Sequence, residues 1–174
     1  MSALDKNPVT TNNLLPNRFI FMLKRSPNVN FWVQEVELPG FSINPTKQPN
    51  PFVDLPISGD HIDYDTLGIT MLVDEQLSNY LEIYNWMKGL GFPDNFDEYA
   101  VLQDSVPILD KGVKSEIIVF LLNGQQQPRF QFVFHDAFPF ALGGWCLSAT
   151  DETLGRVVCH AAFKYSTFDV TPIT

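Results

Sequence analysis

Three histidines and two cysteines carry whatever chemistry this chain could perform. His61 sits among Asp60, Asp63 and Asp65, and carboxylates with an imidazole are metal ligands. That Asp-x-x-Asp-x-Asp run lacks the glycine and closing glutamate of a calcium loop, so an acidic solvated turn is expected there. His135-Asp136 could be half of a triad, but no serine or cysteine stands in a nucleophile elbow, so a strand-end His with Asp starting a turn is expected. His160 follows Cys159 directly, so on a strand the two side chains point to opposite faces, which weakens a Cys–His dyad. Cys146 and Cys159 would sit in one hairpin. One register sends the thiols to opposite faces and a shift of one residue makes them face each other. Two free, buried thiols acting as small hydrophobes are expected. No GxGxxG, GxxxxGK[ST] or CxxC occurs. The expectation is therefore no enzyme, no cofactor and no metal.

Composition narrows the remaining classes. The chain has 174 residues, 45% hydrophobic and 18% charged, which suits one folded domain and excludes a disordered one. Its net charge is −9, with 11 scattered Lys and Arg, so it lacks the basic patch that grips phosphates. Two cysteines are too few for a disulfide-stapled domain. No apolar run reaches the roughly 18 residues of a membrane helix. No basic start followed by an apolar core is present, so no signal peptide is expected.

The elements that must position these residues read as strands. Residues 1–17 are polar and broken by Pro, and are expected as an N-terminal arm. Residues 18–170 are expected as one domain, and 171–174 as a tail. Arg18 to Lys24 is a strand with apolar residues on both faces. With Phe31 to Leu38 it is expected to form a hairpin around Arg25 to Asn28. Leu38 to Asp60 carries five prolines, so a functional loop or an extended hairpin is expected. Thr66 to Val73 is a strand with Leu67, Ile69, Met71 and Val73 on one face. Lys114 to Leu122 and Pro128 to His135 flank Asn123-Gly124, the strongest hairpin signal in the chain. Phe130, Phe132 and Phe134 share a face. Trp145 to Thr150 and Arg156 to Phe168 are expected as a last hairpin, with Val157, Cys159, Ala161, Phe163 and Tyr165 on one face. The expected fold is mainly β, a two-sheet sandwich or half-open barrel with one flanking helix.

That helix, about residues 75–89, is the clearest signal. Asp74 is its expected N-cap. Leu77, Tyr80, Leu81, Tyr84 and Met87 or Lys88 recur at helical spacing as one apolar stripe. Ile83, Trp86 and Leu90 lie off the stripe. The helix bears no acid–base pair, so packing is its expected task.

The order of these parts resembles the tube proteins of contractile phage tails and their tube-initiating baseplate relatives. The resemblance rests on Leu38-Pro39-Gly40 before the long loop, Gly59-Asp60 leading into a strand that ends at Asp74-Glu75, Trp86 in the helix, Phe138-Pro139, and a closing hairpin around Asp151 to Gly155. It spans about residues 18–168. The resemblance implies a structural virion protein of the tail, assembled in the host cytoplasm, whose hexameric rings stack into a conduit for DNA. It implies sheath and baseplate or terminator proteins as partners, with DNA passing unbound and no membrane. Tyr80, Tyr84, Trp86 and Met87 are the implied subunit or sheath contacts. Phe41, Ile43, Phe52, Val53 and Leu55 are the implied inter-ring loop residues. Asp60, Asp63, Asp65, Asp151 and Glu152 are candidates for an acidic lumen that repels DNA. A single ring at the baseplate, terminator or collar, or the tube of a type VI secretion machine, would share the architecture. A monomeric binding module using Trp32, Trp86 or Trp145 is the rival from another class.

Overall fold

The computed structural model describes residues 12–91, 113–149 and 155–173. In chain order the elements are β1 (Phe19–Leu23), α1 (Pro27–Trp32), β2 (Val33–Glu37), β3 (Phe41–Ile43), β4 (Thr46–Gln48), β5 (Leu55–Ile57), β6 (Ile62–Tyr64) and β7 (Leu67–Leu72). They continue with α2 (Ser78–Gly91), β8 (Ser115–Leu122), β9 (Pro128–Leu142), β10 (Val158–Lys164) and β11 (Thr167–Pro172).

The long strand β9 organises the fold by belonging to two sheets. Its first half pairs with β8 on one side and β11 on the other, and β8 pairs in turn with β1. Its second half pairs with β10, which continues through β7 to β2. The turn from one sheet into the other falls at Asp136, whose φ of 55° is a left-handed conformation that Asp tolerates better than most residues. Ser166, at the matching corner between β10 and β11, holds this bend. Its amide donates to the His135 carbonyl at 3.0 Å and its hydroxyl to Asp136 Oδ2 at 3.1 Å.

Alternation along each strand gives each sheet one apolar inner face. Phe21, Leu23, Ile117, Val119 and Phe134 come from the first sheet. Leu67, Ile69, Met71, Cys159, Ala161 and Phe163 come from the second. All join one buried cluster with Ile83 and Trp86 of α2. Burying each large side chain contributes roughly 1.5–3 kcal/mol. The strand faces expected for Leu67 to Val73 and for the final strand are the observed ones.

Several local expectations are corrected. β1 and β2 form no hairpin: they lie in opposite sheets, paired with β8 and β7. Pro27 starts a short helix between them, and Asn30 fastens it, accepting from the Leu23 amide at 2.7 Å. Trp145 to Ala149 form no strand, so β10 pairs with β9 and β7 and the predicted last hairpin is absent. The Asn123-Gly124 hairpin exists, but its left-handed residue is Gln126. Asn123 Oδ1 accepts from the amides of Gln125 and Gln127 at 2.8 and 3.0 Å, so the side chain builds the turn. α2 begins at Ser78, four residues after Asp74. Asp74 is therefore not its cap. The buried Asn79 ties strand to helix instead, donating to the Leu72 carbonyl at 2.6 Å and accepting from the Asp74 amide at 3.3 Å.

The buried stripe of α2 is also the other one. Asn79, Ile83, Trp86 and Gly89 face the core, while Leu81 and Tyr84 are exposed. Hydrophobicity alone did not separate them, because the helix is apolar nearly all round.

Candidate assembly surfaces

The groups able to do chemistry are held apart. His61 Nδ1 lies 2.7 Å from Asp60 Oδ1 on an exposed turn. Asp63 is engaged by the Asn44 amide. No cluster of three or more metal-ligating side chains occurs among the described residues. His135 contacts Asp169 at 3.0 Å and Glu116 at 3.7 Å through opposite ring nitrogens, not Asp136. Glu116 is paired with Lys24, and that bond, with the nearby His135, holds its carboxyl below the usual range. His160 Nδ1 lies 3.0 Å from Thr70 Oγ1 on the outer surface. Cys159 faces the core, with Sγ 3.3 Å from the Gly143 carbonyl, and burial pushes its thiol up. No dyad or triad forms from these pairs. Both cysteines are free, but only Cys159 is buried: Cys146 is exposed, because the hairpin expected to enclose it does not form.

What the chain does present is unburied apolar surface. The Pro-rich segment is an extended two-part hairpin. Near its root β3 pairs with β6, and farther out β4 pairs with β5. It is anchored on the sandwich by Phe168, whose ring packs 6.1 Å from Phe41 and 5.7 Å from Tyr64. At Gly59 the backbone passes so close to Asn44 that a Cβ would lie 2.1 Å from its carbonyl oxygen, so only glycine fits. Beyond that root the arm leaves the body of the molecule. Phe41, Ile43, Val53, Leu55, Ile57 and Ile62 are exposed, and Phe52 is 95% exposed. The loop candidates Phe41, Ile43, Phe52, Val53 and Leu55 thus share one projecting arm. Ile57 and Ile62 belong with them. The alternation Leu55–Ile57 was the signal for the first and Ile62–Tyr64 for the second.

The outward side of α2 is a second such surface. Tyr84 is 45% exposed and stacks on Tyr80 at 6.3 Å; Tyr80 meets Trp145 edge-on at 5.8 Å. Met87 is half-buried against the core. Trp86, grouped with these as a contact, is a core residue at 2% exposure. Its indole N–H donates to the Val113 carbonyl at 2.9 Å and its ring packs on Phe163, with the Arg25 guanidinium 5.2 Å from its centroid. It cannot offer its ring to a neighbour.

A third surface was missed as a site. On the outward face of the first sheet, Ile20 and Met22 of β1 are exposed, in register with Phe120 and Ile118 of β8. The run of apolar residues on both faces of Arg18 to Lys24 was its signal. Asp60, Asp63 and Asp65 are exposed near the arm's root, and burial, with Asp65 and Tyr64 adding to it, pushes Tyr165 up to about 12. Asp151 and Glu152 lie outside the described residues.

No protein-family model and no curated protein matches the chain. Solved structures do. A chain of the anti-feeding prophage baseplate, solved with sixfold symmetry imposed, matches with a TM-score of 0.62 at 12% identity, covering 93% of this chain and 97% of that one. A chain of the cap that terminates the tube of the same particle matches at 0.63 and 12% identity, covering 99% and 100%. A chain of the sheath–tube complex of an extracellular contractile injection system matches at 0.56 and 12%, covering 99% of each.

The chain has the tail-tube fold. The matches span 99% of this chain in two of these cases and 93% in the third. At this level of identity the likeness extends to the fold and not to the residues.

Proposed function

We propose that this protein is a structural subunit of a contractile tail or injection particle, forming hexameric rings around an open bore. The observation that carries this reading is the combination of a whole-length tail-tube fold with a projecting arm whose apolar side chains have nothing of their own chain to cover them. Exposed apolar surface of this extent marks an interaction site in a stable protein. The arm and the surfaces of the body are different patches on one chain. Contact between unlike patches is head-to-tail, and closes into rings or propagates as stacks. The anti-feeding prophage baseplate was solved under sixfold symmetry, which supports six as the ring number. In a ring, sheet edges also find partners, and edges left open would invite aggregation.

In this assembly Tyr80, Tyr84, Leu81 and half-buried Met87 contact a neighbouring subunit or the sheath. Phe41, Ile43, Phe52, Val53 and Leu55 reach the adjacent subunit or ring. The bore passes DNA, in the phage-tail setting, without binding it. A ring of six chains at −9 each sets up a field that repels a polyanion. The particle is a virion tail or a related injection device assembled in the producing cell.

A second reading concerns position. Chains of baseplate, cap and terminator assemblies match the chain as one of the sheath–tube complex does, so a single ring at one end of the tube stands beside the repeating subunit. Quantitative mass spectrometry of purified particles separates the two. One ring's worth of copies per particle supports an end position, and a number scaling with tube length supports the repeat. Absence of the protein from purified particles contradicts both.

A further inference from the structure

The tip of the β8–β9 hairpin gathers the parts of a reaction in one short stretch of main chain. Asn123 is followed by Gly124, which is exposed. Asn123 Oδ1 accepts from the amides of Gln125 and Gln127 at 2.8 and 3.0 Å, and both bonds draw electrons from the side-chain carbonyl. The main-chain carbonyl of Asn123 accepts from Arg18 Nη1 at 3.0 Å and from the Gln126 amide at 3.0 Å. The same guanidinium nitrogen donates to the Gly124 carbonyl. The Gly124 nitrogen therefore stands between two carbonyls held by one cation. Its N–H and the Asn123 Nδ2 have no hydrogen-bond partner among the described residues. A Cβ on Gly124 would meet nothing within 4 Å, so this peptide has room to turn.

We infer that Asn123 is a self-modifying site, whose side-chain amide is displaced by the Gly124 nitrogen with Arg18 promoting the step. Solvent base removes the Gly124 amide proton. The guanidinium on the carbonyl of that peptide unit stabilises the charge left behind. The nitrogen attacks Asn123 Cγ, and the two amides on Oδ1 receive the charge that develops there, as an oxyanion hole does. The Cγ–Nδ2 bond breaks, and Nδ2 takes a proton from water and leaves as ammonia. The product is a succinimide ring. Water opens the ring at one carbonyl to give aspartate and at the other to give isoaspartate. Nothing is oxidised or reduced. Glycine suits the attacking position because it has no Cβ to crowd the ring. The reaction needs no second subunit. The aspartyl product keeps an acceptor for the Gln125 and Gln127 amides and makes those bonds charge-assisted. The isoaspartyl product lengthens the main chain by a methylene and disturbs the bond from the Asn123 amide to the Gln127 carbonyl. Either product adds a negative charge beside Arg18.

The test ages the folded full chain at mildly alkaline pH in water carrying heavy oxygen. Digestion and mass spectrometry then read each asparagine, with fragmentation separating aspartate from isoaspartate. Heavy oxygen should enter residue 123, with both products present. It should do so before Asn13 and Asn85, exposed asparagines followed by Leu14 and Trp86. Gly124→Ala should lose the conversion. Alanine is accommodated there, since the site is open and no described glycine has a left-handed φ. Arg18→Met should slow the conversion several-fold in the folded protein and leave it unchanged in urea, where the guanidinium no longer sits on the turn. Should Arg18→Met fail to fold, Arg18→Lys keeps a cation without the fork and should also slow the conversion. Conversion at residue 123 no faster than at Asn13 and Asn85, aspartate as the sole product, or an undiminished rate in Gly124→Ala would overturn the inference. Equal rates in the folded parent and the folded Arg18 variant would overturn the role given to Arg18.

Discussion

At the scale of single residues, Asn79 and Trp86 are the joints between helix and sheet. Asn79 is fully buried and its amide satisfies backbone groups on both sides of the β7–α2 link. Asn79→Ala strands those groups, so it should lower the stability of the folded subunit by about 1–3 kcal/mol in urea unfolding. The exposed Asn85→Ala is the comparison and should stay within about 0.5 kcal/mol. Equal effects at the two positions would remove the joint from the account. Trp86→Ala should cost about 3–5 kcal/mol, the range for emptying a large buried aromatic site. Two carboxylates should respond to pH with opposite sign. Glu116 is held below its usual 4.5 by Lys24, so its pairing stabilises the fold above that value. The contribution is lost as pH falls through the lower folded-state value. Glu116→Gln should flatten the acid limb of the stability curve. Glu82 is pushed above 4.5 by burial, against the lowering effect of Asn28, and its Oε2 has no partner. Its charged form disfavours folding above the raised value, so Glu82→Gln should stabilise the subunit at neutral pH and have no such effect in acid.

At the scale of elements, the arm separates folding from assembly. Phe52 and Val53 are exposed on it, Phe52 almost fully. Phe52→Ser with Val53→Ser should leave the melting temperature unchanged and weaken association. A large loss of monomer stability, or unaltered association, would contradict the arm's proposed role. The elements also show where sequence is informative. β7 and β10 were legible because a period of two with Val, Ile, Met and Phe on one face admits a single half-buried solution. The arm was legible because five prolines forbid a helix and its length forbids an idle loop. β1 and β2 were misread as a hairpin because the sequence marks the turn at Pro27 and not the sheet each strand enters. Pairing across the molecule is set by the β9 bend at Asp136, and an Asp before an Ala carries no visible sign of a left-handed backbone. The inner side of α2 was misassigned because both its sides are apolar. What decides between them is a polar residue, Asn79, whose burial depends on backbone groups that only the fold brings near.

At the scale of the whole molecule, the chain is a β-sandwich with a large exposed apolar surface. Under the proposed reading its function is geometric: subunits close into rings and stack. The candidate contacts were legible as residue types, since aromatic and aliphatic side chains in an arm and a helix with no chemistry call for a partner. Which acidic residues would face a bore was not legible, because solvated carboxylates on turns and strand edges look alike in sequence. The measurement that tests the central claim most directly is negative-stain electron microscopy of the purified protein over a concentration series. The account predicts open-centred rings with sixfold averages, or tubes of such rings, that become more numerous with concentration and scarcer in the Phe52→Ser, Val53→Ser variant. Featureless single subunits at every concentration, with and without the tube ends of purified particles as seeds, would contradict it.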